Sequence, residues 1–305
     1  MNIKPGIKDF MWMASGAAMM LIAILVVLHF GQDRGPAAQL ALRTQRLELV
    51  GRMQLALASA SEAEKSAVLA VTDKDSQEFA DQARTATAEV ERERGELGEL
   101  LIAAGSQSEK DALEQFTAAF AEFRRIDDDL LALAVRNTNI KASGLAFGPA
   151  AAAIKEMDAS LARLGAGDAK LMGLADQARI AAWRLLALIP PHIAEESDPK
   201  MDELEAQMAK EDRQVRESLD GLAALPALAG NPDLKAAAAS YAQFSEIKGQ
   251  ILKLSRENTN VRSLSFSLNQ KRKVTLICRA TLASLQQAIQ AELGAGVAHP
   301  NARPR

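Results

Sequence analysis

The chain has 305 residues, 48% of them hydrophobic, 25% charged and only 4% aromatic, with 36 basic against 39 acidic side chains for a net charge of −3. That balance lacks the basic footprint of a nucleic-acid binder. A single cysteine excludes a disulfide framework, and three histidines scattered at 29, 192 and 299 give no metal-ligand spacing. The scarcity of aromatic residues beside 18 glycines argues against a β-sandwich, and an all-α chain is what remains.

The first predicted element is a transmembrane helix over residues 10–30, where Phe10 to Phe30 form a run without a charge. At 1.5 Å per residue it spans about 30 Å, the thickness of the hydrocarbon core of a bilayer. A cleaved signal peptide would have a shorter apolar region ending in small residues, a pattern that His29-Phe30-Gly31-Gln32-Asp33 lacks. Lys4 and Lys8 place residues 1–9 in the cytoplasm by the positive-inside rule. The expectation is a single-pass protein of the inner membrane with most of its chain in the periplasm. No second span is expected, because Arg279 interrupts the apolar stretch from Val274 to Leu285.

After the breaker Gly31 to Pro36, helical periodicity runs to about Leu293. The first helix covers about 37–72, with Leu49, Met53, Ala56, Ala60, Ala63, Ala67 and Ala70 on a heptad seam of small residues. Asp75 or Ser76 caps a second helix, marked by Phe79, Ala83, Ala86, Val90, Leu97 and Leu100. The third opens near Ser108 and carries the stripe Leu113, Phe116, Phe120, Phe123, Ile126, Leu130, Leu133, Asn137 and Ile140, ended by Ser143-Gly144 and Gly148-Pro149, with the proline at the start of the next helix. A fourth helix is expected from about 150 to 189, with a kink at Gly165 and Gly167 and a stop at Pro190-Pro191.

The second half repeats the first at an offset of 121 residues. Asn137-Thr138-Asn139-Ile140-Lys141 returns as Asn258-Thr259-Asn260-Val261-Arg262, and the upstream stripe returns with it, Phe120 as Tyr241 and Phe123 as Phe244. Such a match marks an internal duplication. The predicted architecture is a transmembrane helix followed by a duplicated up-and-down helical bundle of about seven long antiparallel helices. The first bundle is expected over 37–164, the second over 165–294, and a disordered tail over 295–305.

Four side chains stand out as candidate ligand contacts: Asn137, Lys141, Asn258 and Arg262. An asparagine on a core stripe requires hydrogen-bond partners. It can serve as an interhelical contact that fixes register, or line a pocket in which Lys141 or Arg262, one helical turn on, meets an anion. Arg43, Arg46, Arg52, Arg124, Arg125 and Arg136 read as solvated charges on helix faces, as does the run Glu91-Arg92-Glu93-Arg94. Cys278, in step with Leu282, Leu285 and Ile289, reads as a buried inert thiol, and His192 as an exposed loop residue. No glycine-rich phosphate loop, HExxH motif or nucleophile elbow is present, so no catalytic residue, metal or cofactor is expected and the chain does not read as an enzyme.

Three stretches are distinctive: Glu64-Lys65-Ser66-Ala67-Val68-Leu69-Ala70-Val71 with Asp73, the segment from Phe123 to Pro149, and Pro190-Pro191-His192-Ile193-Ala194-Glu195. With them, residues 37 to 293 resemble the extracytoplasmic helical-bundle sensor region of methyl-accepting chemotaxis proteins. The resemblance implies a periplasmic bundle that binds a small organic acid or amino acid and passes a helix displacement through the membrane. It also implies a HAMP linker and a cytoplasmic signalling coiled coil, for which this sequence shows no counterpart. Signalling through a partner is therefore expected, either a second copy of the chain or a chemoreceptor. A structural coiled-coil scaffold without a small ligand, and a truncated chemoreceptor, are the alternatives.

Overall fold

A computed structural model describes residues 35–164 and 169–297, with side chains over 38–164 and 169–291. The expected membrane span at 10–30 and most of the expected tail lie outside these residues. Among the described residues no helix is long and apolar enough to cross a membrane.

Every regular element among the described residues is helical. Helix α1 spans Gly35–Leu69, α2 Asp73–Ala104 and α3 Gln107–Ala134. A short α4, Thr138–Leu145, runs through a π-turn at Ala146–Ala150 into α5, Ala151–Leu164. Then come α6, Ala169–Ala194, and α7, Asp198–Ala223. A 3-10 turn at Pro226–Leu228 precedes α8, Pro232–Glu257. The short α9, Thr259–Phe266, passes through a π-turn at Ser267–Lys271 into α10, Arg272–Val297. The expected repeat is reproduced to the residue here: α9 and its π-turn begin and end 121 positions after α4 and its π-turn.

Three boundaries differ from the sequence expectation. The third helix stops at Ala134, because Asn137 adopts the left-handed conformation with φ 51°, as Asn258 does with φ 53°. Asparagine is one of the few side chains that tolerate this region. Gly148-Pro149 does not break the chain, since Pro149 sits inside the π-turn, where the widened backbone needs no hydrogen bond from a proline nitrogen. The expected single helix over about 150–189 is two helices, α5 and α6, packed side by side, and α6 continues through Pro190 and Pro191 to Ala194.

The described chain divides into two compact units, and the division cuts across α1, α2, α3 and α10. One unit holds residues 35–57, 88–119 and 278–297 of the described chain. Its core is Leu49, Met53, Leu57, Val90, Leu97, Phe116, Leu282 and Ile289. Its helices alternate in direction: Arg52 reaches Glu93 at 2.8 Å, and Arg46 reaches Glu109 near the start of α3. The last helix, α10, completes this unit, and Gln54 donates to Gln286 at 3.0 Å. Arg46, expected on a solvated face, is buried. Its guanidinium takes both Glu109 oxygens and the Ala104 carbonyl, while Glu109 caps Ser106 N at 2.8 Å in a capping box. Glu93 is buried as well, so the run at 91–94 is not uniformly solvated.

The other unit holds residues 58–87 and 120–277. Its larger core joins α5 to α8 through Ile154, Met157, Leu185, Ile189, Val215, Leu222, Phe244 and Ile251. The helices are antiparallel: Arg163 at the end of α5 meets Asp233 at the start of α8, while Asp158 meets Arg179 of α6. A smaller core gathers Ala63, Ala67, Ala80, Ala83, Leu130 and Leu131 from the adjoining parts of α1, α2 and α3. The alanine seam predicted for the first helix is what allows this close approach.

Candidate functional site

The two Asn-Thr-Asn motifs meet each other inside the second unit. Thr138 N donates to Thr259 Oγ1 at 3.2 Å, and Thr259 N donates to Thr138 Oγ1 at 3.1 Å. Asn139 N donates to Asn260 Oδ1, and Asn260 N to Asn139 Oδ1, both at 3.1 Å. The first amides of a helix have no partner within it. Here each motif caps the helix that the other begins, which requires a threonine oxygen and an asparagine oxygen at successive positions. Arg136 and Glu257, also 121 residues apart, pair at 2.6 Å beside the motifs. The arrangement is a local two-fold clamp between the repeats.

Side-chain amides extend the clamp to neighbouring turns. Asn139 Nδ2 donates to Asn258 Oδ1 at 2.7 Å and to the Ile193 carbonyl at 2.6 Å, and Asn258 Nδ2 donates to the Glu195 carbonyl at 2.7 Å. The end of α6 is thus capped by asparagines from α4 and from the residue preceding α9. His192 is buried in that same end, against the expectation of an exposed loop residue. Its ring lies 2.8 Å from Ser255 Oγ and 2.9 Å from Glu205 Oε1. Arg256 bonds the same carboxylate, holding Glu205 below the usual carboxylate range against the opposing effect of burial.

The four candidate residues therefore divide into two kinds. Asn137 and Asn258 are buried, and their side-chain oxygens accept from Asn260 and Asn139. Lys141 and Arg262 are about half exposed at the clamp's margins. Lys141 Nζ lies 3.0 Å from Asp73 and donates to the Arg136 carbonyl, and Arg262 lies 3.9 Å from Asp198.

Two further features carried no role in the sequence reading. Glu64, Asp127 and Lys271 are all buried: Lys271 bonds Asp127, and the charges of both act on Glu64. Asp127 could have been found, since it falls between Phe123 and Leu130 on the core stripe. Lys271 has Ala150 as its counterpart in the repeat, so nothing in the first copy announces it. Separately, an open groove of about 570 Å³ runs along α6, lined by Asp158, Arg179, Ile180, Trp183 and Arg184. The Trp183 indole donates to Asp158 at 3.2 Å while much of its ring stays exposed.

No family model matches the chain, and no curated protein matches it. The described residues define a duplicated all-helical bundle, and the fold is shared with a bacterial sensor domain. The solved structure of the sensor domain of the histidine kinase TorS from V. parahaemolyticus is similar to this chain with a TM-score of 0.52 at 8% sequence identity. The match covers 84% of this chain and 99% of that one.

Proposed function

We propose that the chain is a membrane-anchored extracytoplasmic sensory bundle that registers a small organic acid or amino acid and acts in signal transduction through a partner. Support comes from one observation above the others: the fold likeness spans nearly the whole of a histidine-kinase sensor domain. Residues 10–30 supply the bilayer anchor, with the N-terminus cytoplasmic and the described helices periplasmic. The partner is a second copy of the chain or a receptor of the chemotaxis type.

The clamp offers a route for the stimulus. A ligand carboxylate competes with Asp73 for Lys141 and with Asp198 for Arg262, both of which are accessible from solvent. Binding there loosens the ties that hold Asn137 and Asn258, and so shifts the two repeats' helices against each other. A thermal-shift titration of the detergent-solubilised full chain with acetate, succinate, citrate, aspartate, glutamate and serine tests this. At about 100 times its Kd, a ligand adds about 2.7 kcal/mol of stability. One of the acids is expected to raise Tm by several degrees, and Arg262→Ala or Lys141→Ala to abolish the shift. No shift with any of the six would favour a scaffold without a small ligand.

A further inference from the structure

The buried cluster of Glu64, Asp127 and Lys271 lies within one compact unit and combines groups from α1, α2, α3 and the second π-turn. The Lys271 ammonium, from the π-turn, bonds the Asp127 carboxylate of α3. It also donates to the Phe123 carbonyl at 3.3 Å and sits 3.1 Å from the centroid of the Phe123 ring. Thr87 of α2 donates to Asp127 at 3.5 Å. Glu64 of α1 has Ser267 of the π-turn as its hydrogen-bonding neighbour, and its Oε1 is buried without a hydrogen-bond partner. Lys65 of α1 and Asp128 of α3 also act on the two carboxylates, Lys65 on Glu64 and Asp128 on Asp127.

Two carboxylates share one ammonium, so the fully ionised cluster carries an uncompensated negative charge away from water, a costly state. We propose that Glu64 is a proton-binding site that governs the Ser267–Lys271 π-turn and, through it, the register of α10. With a solvent proton bonded to a carboxylate oxygen of Glu64, the cluster is a neutral acid beside a neutral Lys271–Asp127 pair, and the π-turn is held. When that proton returns to solvent, both carboxylates demand the one ammonium. The π-turn is the element able to respond, because it holds one residue more than an α-helical turn. Its conversion to α-helix displaces the following helix by one residue, about 100° and about 1.5 Å.

The duplication sharpens the inference. The π-turn Ala146–Ala150 occupies the equivalent place with alanines where Ser267 and Lys271 stand, so only the second π-turn brings an ammonium to the cluster. Burial pushes the Glu64 carboxyl up, Asp127 adds to the rise, and Ser267 and Lys271 offset part of it. Burial raises Asp127 as well, with Lys271 opposing. Because Glu64 is raised in the folded state, the held π-turn is fully stabilised below the ordinary value of 4.5, and that stabilisation is lost as pH rises to the folded pKa. The inference goes beyond the sensory reading and does not depend on a ligand.

Hydrogen exchange of the full chain in detergent micelles, followed across pH and corrected for the intrinsic pH dependence of exchange, tests it. Protection of amides 263–275 is expected to fall by up to roughly tenfold per pH unit as pH rises from the ordinary carboxyl value of 4.5 to the folded pKa of Glu64, and to level off above it. Protection around Ile154 and Phe244 is expected to stay constant over that interval. Glu64→Gln, which mimics the neutral acid, is expected to remove the dependence. In the unsubstituted chain, a 13C-labelled glutamate carboxyl is expected to titrate over the same interval, a readout that stands even if the variant does not fold. Constant protection at 263–275, an equal loss around Ile154 and Phe244, an unchanged dependence in Glu64→Gln, or a loss with no glutamate titrating there would overturn the proposal.

Discussion

Asn258 shows how much of this fold rests on single side chains. It is fully buried, holds a left-handed backbone conformation, accepts from Asn139 and donates to the Glu195 carbonyl. A buried hydrogen bond contributes about 1 kcal/mol, and leaving its partner unsatisfied costs more. The left-handed region costs an alanine about 1–2 kcal/mol and a glycine almost nothing. Asn258→Ala is therefore expected to destabilise the chain by about 2–4 kcal/mol, and Asn258→Gly by about 1 kcal/mol less. Denaturant unfolding of both variants measures the two contributions, and equal losses would show that the backbone conformation contributes nothing. The sequence displayed the recurrence of this asparagine and its need for partners. It hid the left-handed turn, because Asn137 and Asn258 fit the helical spacing of the stripes on either side.

At the scale of elements, polar ties between helices are either satisfied or left open. Asp212 ties α7 to α8 and is satisfied: Tyr241 donates at 2.6 Å and Lys248 at 2.9 Å, while Arg216 of its own helix lies 2.8 Å away. Burial pushes its carboxyl up, but the hydrogen bonds from Arg216, Tyr241 and Lys248 outweigh that and hold it at about 2. The sign follows from the lowered pKa: the contribution is present above the ordinary value near 3.8 and is lost as pH falls through about 2. After allowance for partial exposure, Asp212→Asn is expected to cost about 1–2 kcal/mol at neutral pH. The difference from the unsubstituted chain is expected to vanish towards pH 2. Thermal melts of both proteins across pH measure it.

Heptad spacing identified the seams of α1 to α3 because small and apolar residues recur along them, and it passed over the buried charges Arg46, Glu64, Glu93 and Asp127. It merged α5 and α6 because the glycines between them read as a kink. The proline pair at 190–191 read as a stop because proline removes a hydrogen bond. Inside α6 the pair forgoes the bonds to the carbonyls of Leu186 and Ala187, and the helix still runs on to an end where side chains from elsewhere take the carbonyls of Ile193 and Glu195. Such long-range caps have no local signature.

At the scale of the molecule, one unit written twice produces more than two similar halves. The repeats cap each other through the Asn-Thr-Asn motifs, and a π-turn recurs in each, charged only in the second. The last helix, α10, joins that charged turn to the C-terminal part of the described chain. Under the proposed sensory function a stimulus passes along a helix, so a ligand must change α10 as well as its own contacts. Hydrogen exchange of the full chain in liposomes, with and without each of the six acids and amino acids, is the most direct test of the sensory account. The account predicts that at least one compound alters protection both at the clamp, residues 136–141 and 257–262, and in α10. Protection unchanged by all six, or changed at the clamp while α10 stays as it was, would contradict it.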